Sequence, residues 1–295
     1  MSSSATTPGN PPAAAPVPSA RGPRSARLGR NLLAAIAVGL ALGAIILGSL
    51  LVVRYVFVGV VALAAAIGTW ELVGALRRGA GIATPLPLLL LGGQAMVWLA
   101  WPFGPGGAAA AFAATAVACL LWRMRAGAAN YVRDVTASVF TAAYVPLFCS
   151  FATLLTVADD GVGRVLTFLI CVVASDVGGY AAGVTAGRHP MAPTISPKKS
   201  WEGFSGSLVA GMMAGALCVA LLLGAPWWAG ALTGAVLVAS ATLGDLVESL
   251  VKRDLGIKDM GTLLPGHGGL MDRLDSLLPT AVVSWLVLSI VVPIG

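Results

Sequence analysis

The chain has 295 residues, 58% hydrophobic and only 10% charged, with mean hydropathy +0.90 and formal net charge +6. A soluble domain carries roughly 25% charged residues, so this composition excludes a soluble globular protein and points to an all-α, polytopic membrane protein. Cys119, Cys149, Cys171 and Cys218 lie singly in apolar segments with no CxxC or Cys/His pair, which argues against a disulfide framework or a zinc site and for small buried hydrophobes.

Residues 1–30 are rich in Pro, Ala and Ser and end in Arg21, Arg24, Arg27 and Arg30. Such a stretch cannot bury a core and is expected to be a disordered cytoplasmic tail; it is too long and polar for a cleaved signal peptide. Nine apolar segments of spanning length follow, near 31–53, 55–76, 84–101, 105–122, 134–157, 163–185, 203–224, 227–251 and 275–294. With the N-terminus cytoplasmic and the sides alternating, sixteen of the 18 Lys and Arg residues fall inside; only Arg54 and Arg164 fall outside. The positive-inside rule favours that orientation. Gly39/Gly43, Gly179/Gly183/Gly187, Gly211/Gly215 and Gly230/Gly234 recur at four-residue spacing, a pattern that lets helices approach closely in lipid. Residues 31–160 read as a packing scaffold and 161–295 as the region that carries chemistry. No internal repeat is visible, which disfavours an inverted-repeat transporter.

Eight of the twelve acidic residues fall between Asp176 and Asp275. Helical rise puts Asp245 about 10 Å inside the inner end of its span, with Asp176 at similar depth and Asp272 and Asp275 at the inner boundary. Asp245, Glu248 and Ser249 share one helix face, as do Asp272 and Asp275. Charges in hydrocarbon are costly, so acids there mark a function by default. Carboxylates on two helices suit Mg²⁺, which takes one or two of them plus water and substrate phosphates. The blander alternative pairs these acids with Lys252, Arg253 and Arg273 as structural ion pairs.

Gly266, Gly268 and Gly269 surround His267 just before the last helix, whose N-terminus suits an anion. His267 fits a hydrogen-bond donor better than a proton carrier. Upstream, Ser196, Lys198, Lys199 and Ser200 in SPKKSWEG suit phosphate oxygens, although a positive-inside flank explains the lysines about as well. Glu71, near the inner end of its helix, could cap or pair with Arg77 or Arg78.

At these residues the chain strongly resembles the phosphatidate cytidylyltransferases, or CDP-diacylglycerol synthases. The family pattern of Ser, Lys-Arg, Lys-Asp, His-Gly-Gly and Asp-Arg-x-Asp is matched by Ser249, Lys252-Arg253, Lys258-Asp259, His267-Gly268-Gly269 and Asp272-Arg273-Leu274-Asp275. The resemblance covers roughly 175–275 and is specific because so many positions agree at fixed spacing. It implies a dimeric enzyme of the cell membrane, facing the cytoplasm, that makes CDP-diacylglycerol and pyrophosphate from CTP and phosphatidic acid. Nucleic acid is not an expected partner. The resemblance also implies a Mg²⁺ site and allows a second, monovalent cation such as K⁺. By position, Asp245 and Asp272 are the first choices for metal ligands, then Asp275, Glu248 and Asp176. The phosphatidate monoester is largely ionised at neutral pH, so no strong base is needed to make it a nucleophile. Lys198, Lys199, Lys252, Arg253 and Arg273 would balance the phosphates. The rival readings are a cation-coupled secondary transporter and a polyprenol kinase, which would release CDP.

Overall fold

The computed structural model describes Gly39, Ala41, residues 43–263 and residues 268–292. The Arg-rich tail, the first part of segment 31–53, Gly266 and His267 lie outside the described residues. In chain order the helices are α1 (Gly43–Val52), α2 (Arg54–Ala80), α3 (Leu86–Met124) and α4 (Tyr131–Ala142). A π-helical turn (Ala143–Leu147) joins α4 to α5 (Phe148–Val157); α6 (Gly161–Ala186), α7 (Trp201–Leu222), α8 (Trp227–Asp254), the short α9 (Met271–Leu274) and α10 (Leu277–Val291) follow. Strands β1 (Pro190–Ala192) and β2 (Ser196–Ser200) pair antiparallel between α6 and α7.

Seven helical runs among the described residues are long and apolar enough to cross a membrane. The sequence reading had nine segments, two of which fall within one of these runs. Segments 84–101 and 105–122 are one element, α3, whose backbone breaks at Gly104 (φ 61°, ψ −153°) between Pro102 and Pro105. Proline interrupts the helical ladder, and glycine tolerates positive φ without a Cβ clash. A straight helix would hold Gly92 and Thr115 about 35 Å apart. Instead they pack so tightly that a Cβ on Gly92 would collide with Thr115, so the arms of α3 form a hairpin. Segment 31–53 enters the described residues chiefly as α1, only ten residues long.

The C-terminal helices are joined by close backbone approach. Gly178 lies against Gly206, Gly183 against Gly203, and Gly211 and Gly215 against Gly234, so α6, α7 and α8 pack with almost no side chain between them. Gly39 and Gly43, read as part of the same pattern, meet nothing within 4 Å among the described residues. Gly244 on α8 receives the Asp275 carbonyl and the Pro279 ring, drawing the α9–α10 junction onto α8.

Because α3 doubles back, both its ends lie at the end of the bundle where α2, α6 and α8 finish. Of the described Lys and Arg residues, only Arg54 and Arg164 sit at the other end. Both hold backbone carbonyls there. Arg54 donates to Ala158 and Asp159 (2.9 and 2.7 Å), while Arg164 donates to Leu288 and Val292 (3.2 and 2.6 Å) and pairs with Asp160. Cations suit such helix C-terminal carbonyls.

Candidate functional site

The site is built around Lys252 in the last turn of α8. Its ammonium lies 2.8 Å from Glu248, one turn earlier, and 3.0 Å from Asp272 on α9. Glu248 is fully buried, and its second oxygen has no hydrogen-bond partner. Asp272 also accepts from the backbone N–H of Met260 (3.0 Å) and of Gly269 (2.8 Å). One carboxylate therefore fixes both ends of the described part of the loop that bridges α8 and α9.

Asp275 stands where α9 gives way to α10, within hydrogen-bonding reach of Asp245 and Glu248. The close contact at Gly244 puts it there. Asp245 in turn pairs with Lys199 at 2.5 Å, and Lys199 reaches the Thr242 carbonyl. Asp245 and Lys199 also line a cavity of about 350 Å³ between α6, the β1–β2 hairpin, α7 and α8. Asp176, Tyr180, Lys198, Ser200 and Phe204 complete its polar and aromatic wall. The SPKKS stretch is strand β2, so Lys198 and Lys199 are held at fixed positions beside the cavity. Ser200 is the N-cap of α7, its hydroxyl accepting from the Gly203 N–H at 3.1 Å.

The remaining sequence candidates are placed around this centre. Gly268, with φ 79°, lies against Asp259 and Asp272. Gly269 donates to Asp272. Ser196 and Ser249 are half-buried, and Arg273 is exposed but has its own partner. Arg253 and Lys258 are exposed and form no ion pair among the described residues, so their charge is open to an anion. His267 and Gly266 lie outside the described residues.

No three or more His, Cys, Asp or Glu side chains among the described residues surround a common point fit for a metal ion. A cation nevertheless suits what is present. The Asp275 carboxyl lies within hydrogen-bonding reach of those of Asp245 and Glu248, so acidic groups from α8 and the α9–α10 junction come into contact. A divalent ion relieves such a contact, and Mg²⁺ needs only one or two carboxylates when substrate phosphates complete its shell.

Two residues of the N-terminal half also reach the site. Glu71 on α2 is 2% exposed and accepts from the Met271 N–H at 2.7 Å, rather than pairing with Arg77 or Arg78. Its one sequence signal was a carboxylate inside an apolar helix. Tyr144, on the π-helical turn, has a buried hydroxyl without a hydrogen-bond partner, in the field of Glu248, Asp275 and Asp245. Nothing in the sequence marked it, because a π-turn has no periodic signature; such turns are frequent at functional sites.

Residues 33–291 match the cytidylyltransferase family. A phosphatidate cytidylyltransferase of Mycobacterium bovis is 53% identical over 279 residues, covering 90% of this chain and 91% of that protein. The enzyme of the same name from Mycobacterium leprae is 53% identical over 280 residues, covering 90% and 89%. A phosphatidate cytidylyltransferase from Synechocystis is 40% identical over 140 residues, 45% of this chain and 46% of its own length. The likeness to the mycobacterial proteins thus takes in α2 and the π-turn as well as the motif-bearing C-terminal half. The chain belongs to the cytidylyltransferase family and is a nucleotidyltransferase.

Proposed function

We propose that the protein transfers the cytidylyl group of CTP to phosphatidic acid at the cytoplasmic face of the membrane, releasing pyrophosphate and leaving CDP-diacylglycerol. The observation that carries this reading is the meeting of Asp245, Glu248 and Asp275 with Lys199 and Lys252 at one end of an apolar bundle, beside a polar cavity. Anionic substrates need positive charge, and a lipid headgroup needs a site near the bilayer edge. The names of the mycobacterial relatives support the same substrates.

A phosphate monoester has a second pKa near 6, so the lipid phosphate arrives as a nucleophile. Its oxygen attacks the α-phosphorus of CTP in line, the new P–O bond forming as the bond to the β-phosphate's bridging oxygen breaks. No side chain has to remove a proton. The residues instead position and screen two polyanions. Lys198 and Lys199, on β2 at the cavity, and Arg253 and Lys258, exposed at and just beyond the end of α8, are the cations available to phosphate oxygens. Mg²⁺ would be held by Asp245 and Asp275, with Glu248, Asp272 and Asp176 nearby, and would supply charge neutralisation of the triphosphate and of leaving pyrophosphate.

The test is purified protein in mixed micelles with CTP labelled at the α-phosphate, phosphatidate and Mg²⁺. Label should enter the lipid fraction, one pyrophosphate appearing per lipid labelled. Release of CDP without a liponucleotide would identify a CTP-dependent lipid kinase and overturn the reading. Ion flux in vesicles without nucleotide turnover would equally overturn it, in favour of a transporter.

A further inference from the structure

We propose that Glu71 is a positioning residue for the reaction: from α2 it holds the start of α9 and the glycine turn, and so holds Asp272 in place. Its carboxylate is wedged between two glycines of the bridging loop. A Cβ on Gly261 or on Gly269 would collide with it, so both backbones lie directly on the Glu71 side chain. One oxygen accepts the Met271 N–H at 2.7 Å, next to Asp272 in the chain. The other is buried without a partner between the glycines. Gly269 and Met260 are also the residues whose N–H groups bind Asp272. Glu71 thus touches one of Asp272's two backbone partners and caps its preceding neighbour.

A second residue of α2 acts on the same loop. The Arg78 guanidinium donates to the Met260 carbonyl at 2.9 Å, and Gly79 packs on Leu255. A buried carboxylate with one unsatisfied oxygen is costly to keep. It is a poor choice for holding two helices together, for which an apolar side chain would serve. Its use here fits a loop whose backbone N–H groups must point in set directions.

The kinetic part of the test rests on the cytidylyltransfer reading, and the exchange part does not. Glu71→Gln keeps an acceptor for Met271; Glu71→Leu keeps the bulk and loses it. Loss of one buried acceptor should lower kcat and raise the half-saturating Mg²⁺ by about tenfold in Glu71→Leu, with Glu71→Gln within about threefold of the parent. Hydrogen–deuterium exchange should quicken over residues 256–263 and 268–272 in Glu71→Leu, with α7 unchanged, and stay at the parent rate in Glu71→Gln. Equal behaviour of the two variants would overturn the proposal, either as no effect or as equal loss that points to the charge itself. Loosening of α7 to the same degree would also overturn it, since Glu71 would then serve the fold as a whole.

Discussion

Lys252 is the shared cation of two carboxylates, Glu248 with none of its side chain exposed and Asp272 with 7%. Removing it would strand both. Lys252→Met should therefore destabilise the protein by about 3–5 kcal/mol, seen as a lower Tm in detergent, and abolish turnover. Asp272→Asn is the contrasting change. It leaves a side chain of the same shape but loses charge toward Lys252 and the loop N–H groups, so kcat should fall by about a hundredfold or more while the protein still elutes as a folded species. Wild-type Mg²⁺-dependent activity in that variant would remove Asp272 from the site. The motif made Asp272 legible from sequence. That its oxygens are met by Met260 and Gly269 was not, because the loop owes its conformation to Glu71 and Arg78, which lie far away in the chain.

Helix contacts, more than loops, set the distance between the acids. Gly244 allows the α9–α10 junction onto α8, and that contact helps bring Asp275 beside Asp245. Gly244→Val should push Pro279 away and cut activity per folded molecule by about tenfold, while circular dichroism stays at the parent value, because only packing has changed. Hydropathy placed most of these helices, since twenty apolar residues announce themselves. It also separated the two arms of α3, at 84–101 and 105–122, but could not show that the turn between them depends on a single glycine conformation. The β1–β2 hairpin was invisible for another reason: its strands are three and five residues long, too short for a period of two to show.

At the scale of the bundle, the described Lys and Arg residues gather at the end that carries the acids, and the two exceptions among them hold carbonyls at the other. The proposed cytoplasmic placement of the site predicts a labelling pattern. All four native cysteines are buried, so a cysteine-reactive, membrane-impermeant reagent reports only on introduced sites. In right-side-out vesicles Asp159→Cys should label at once, and Lys258→Cys only after permeabilisation. The reverse pattern would turn the site to the outside. The gathering of basic and acidic residues at one end was legible in the sequence, whereas the contribution of α2 to the site was signalled by Glu71 alone, a single carboxylate in an apolar helix.

The bond from Glu71 to the Met271 amide spans 200 residues of sequence. An early helix and the last one must therefore both be present before the centre is complete. A ribosome that has made everything up to α8 has delivered most of the lysines and acids, yet no Asp272 or Asp275 to meet them. On the proposed reading, half-synthesised or prematurely terminated copies would be inert, and two co-expressed fragments divided between α5 and α6 would have to find each other in the bilayer before either could work.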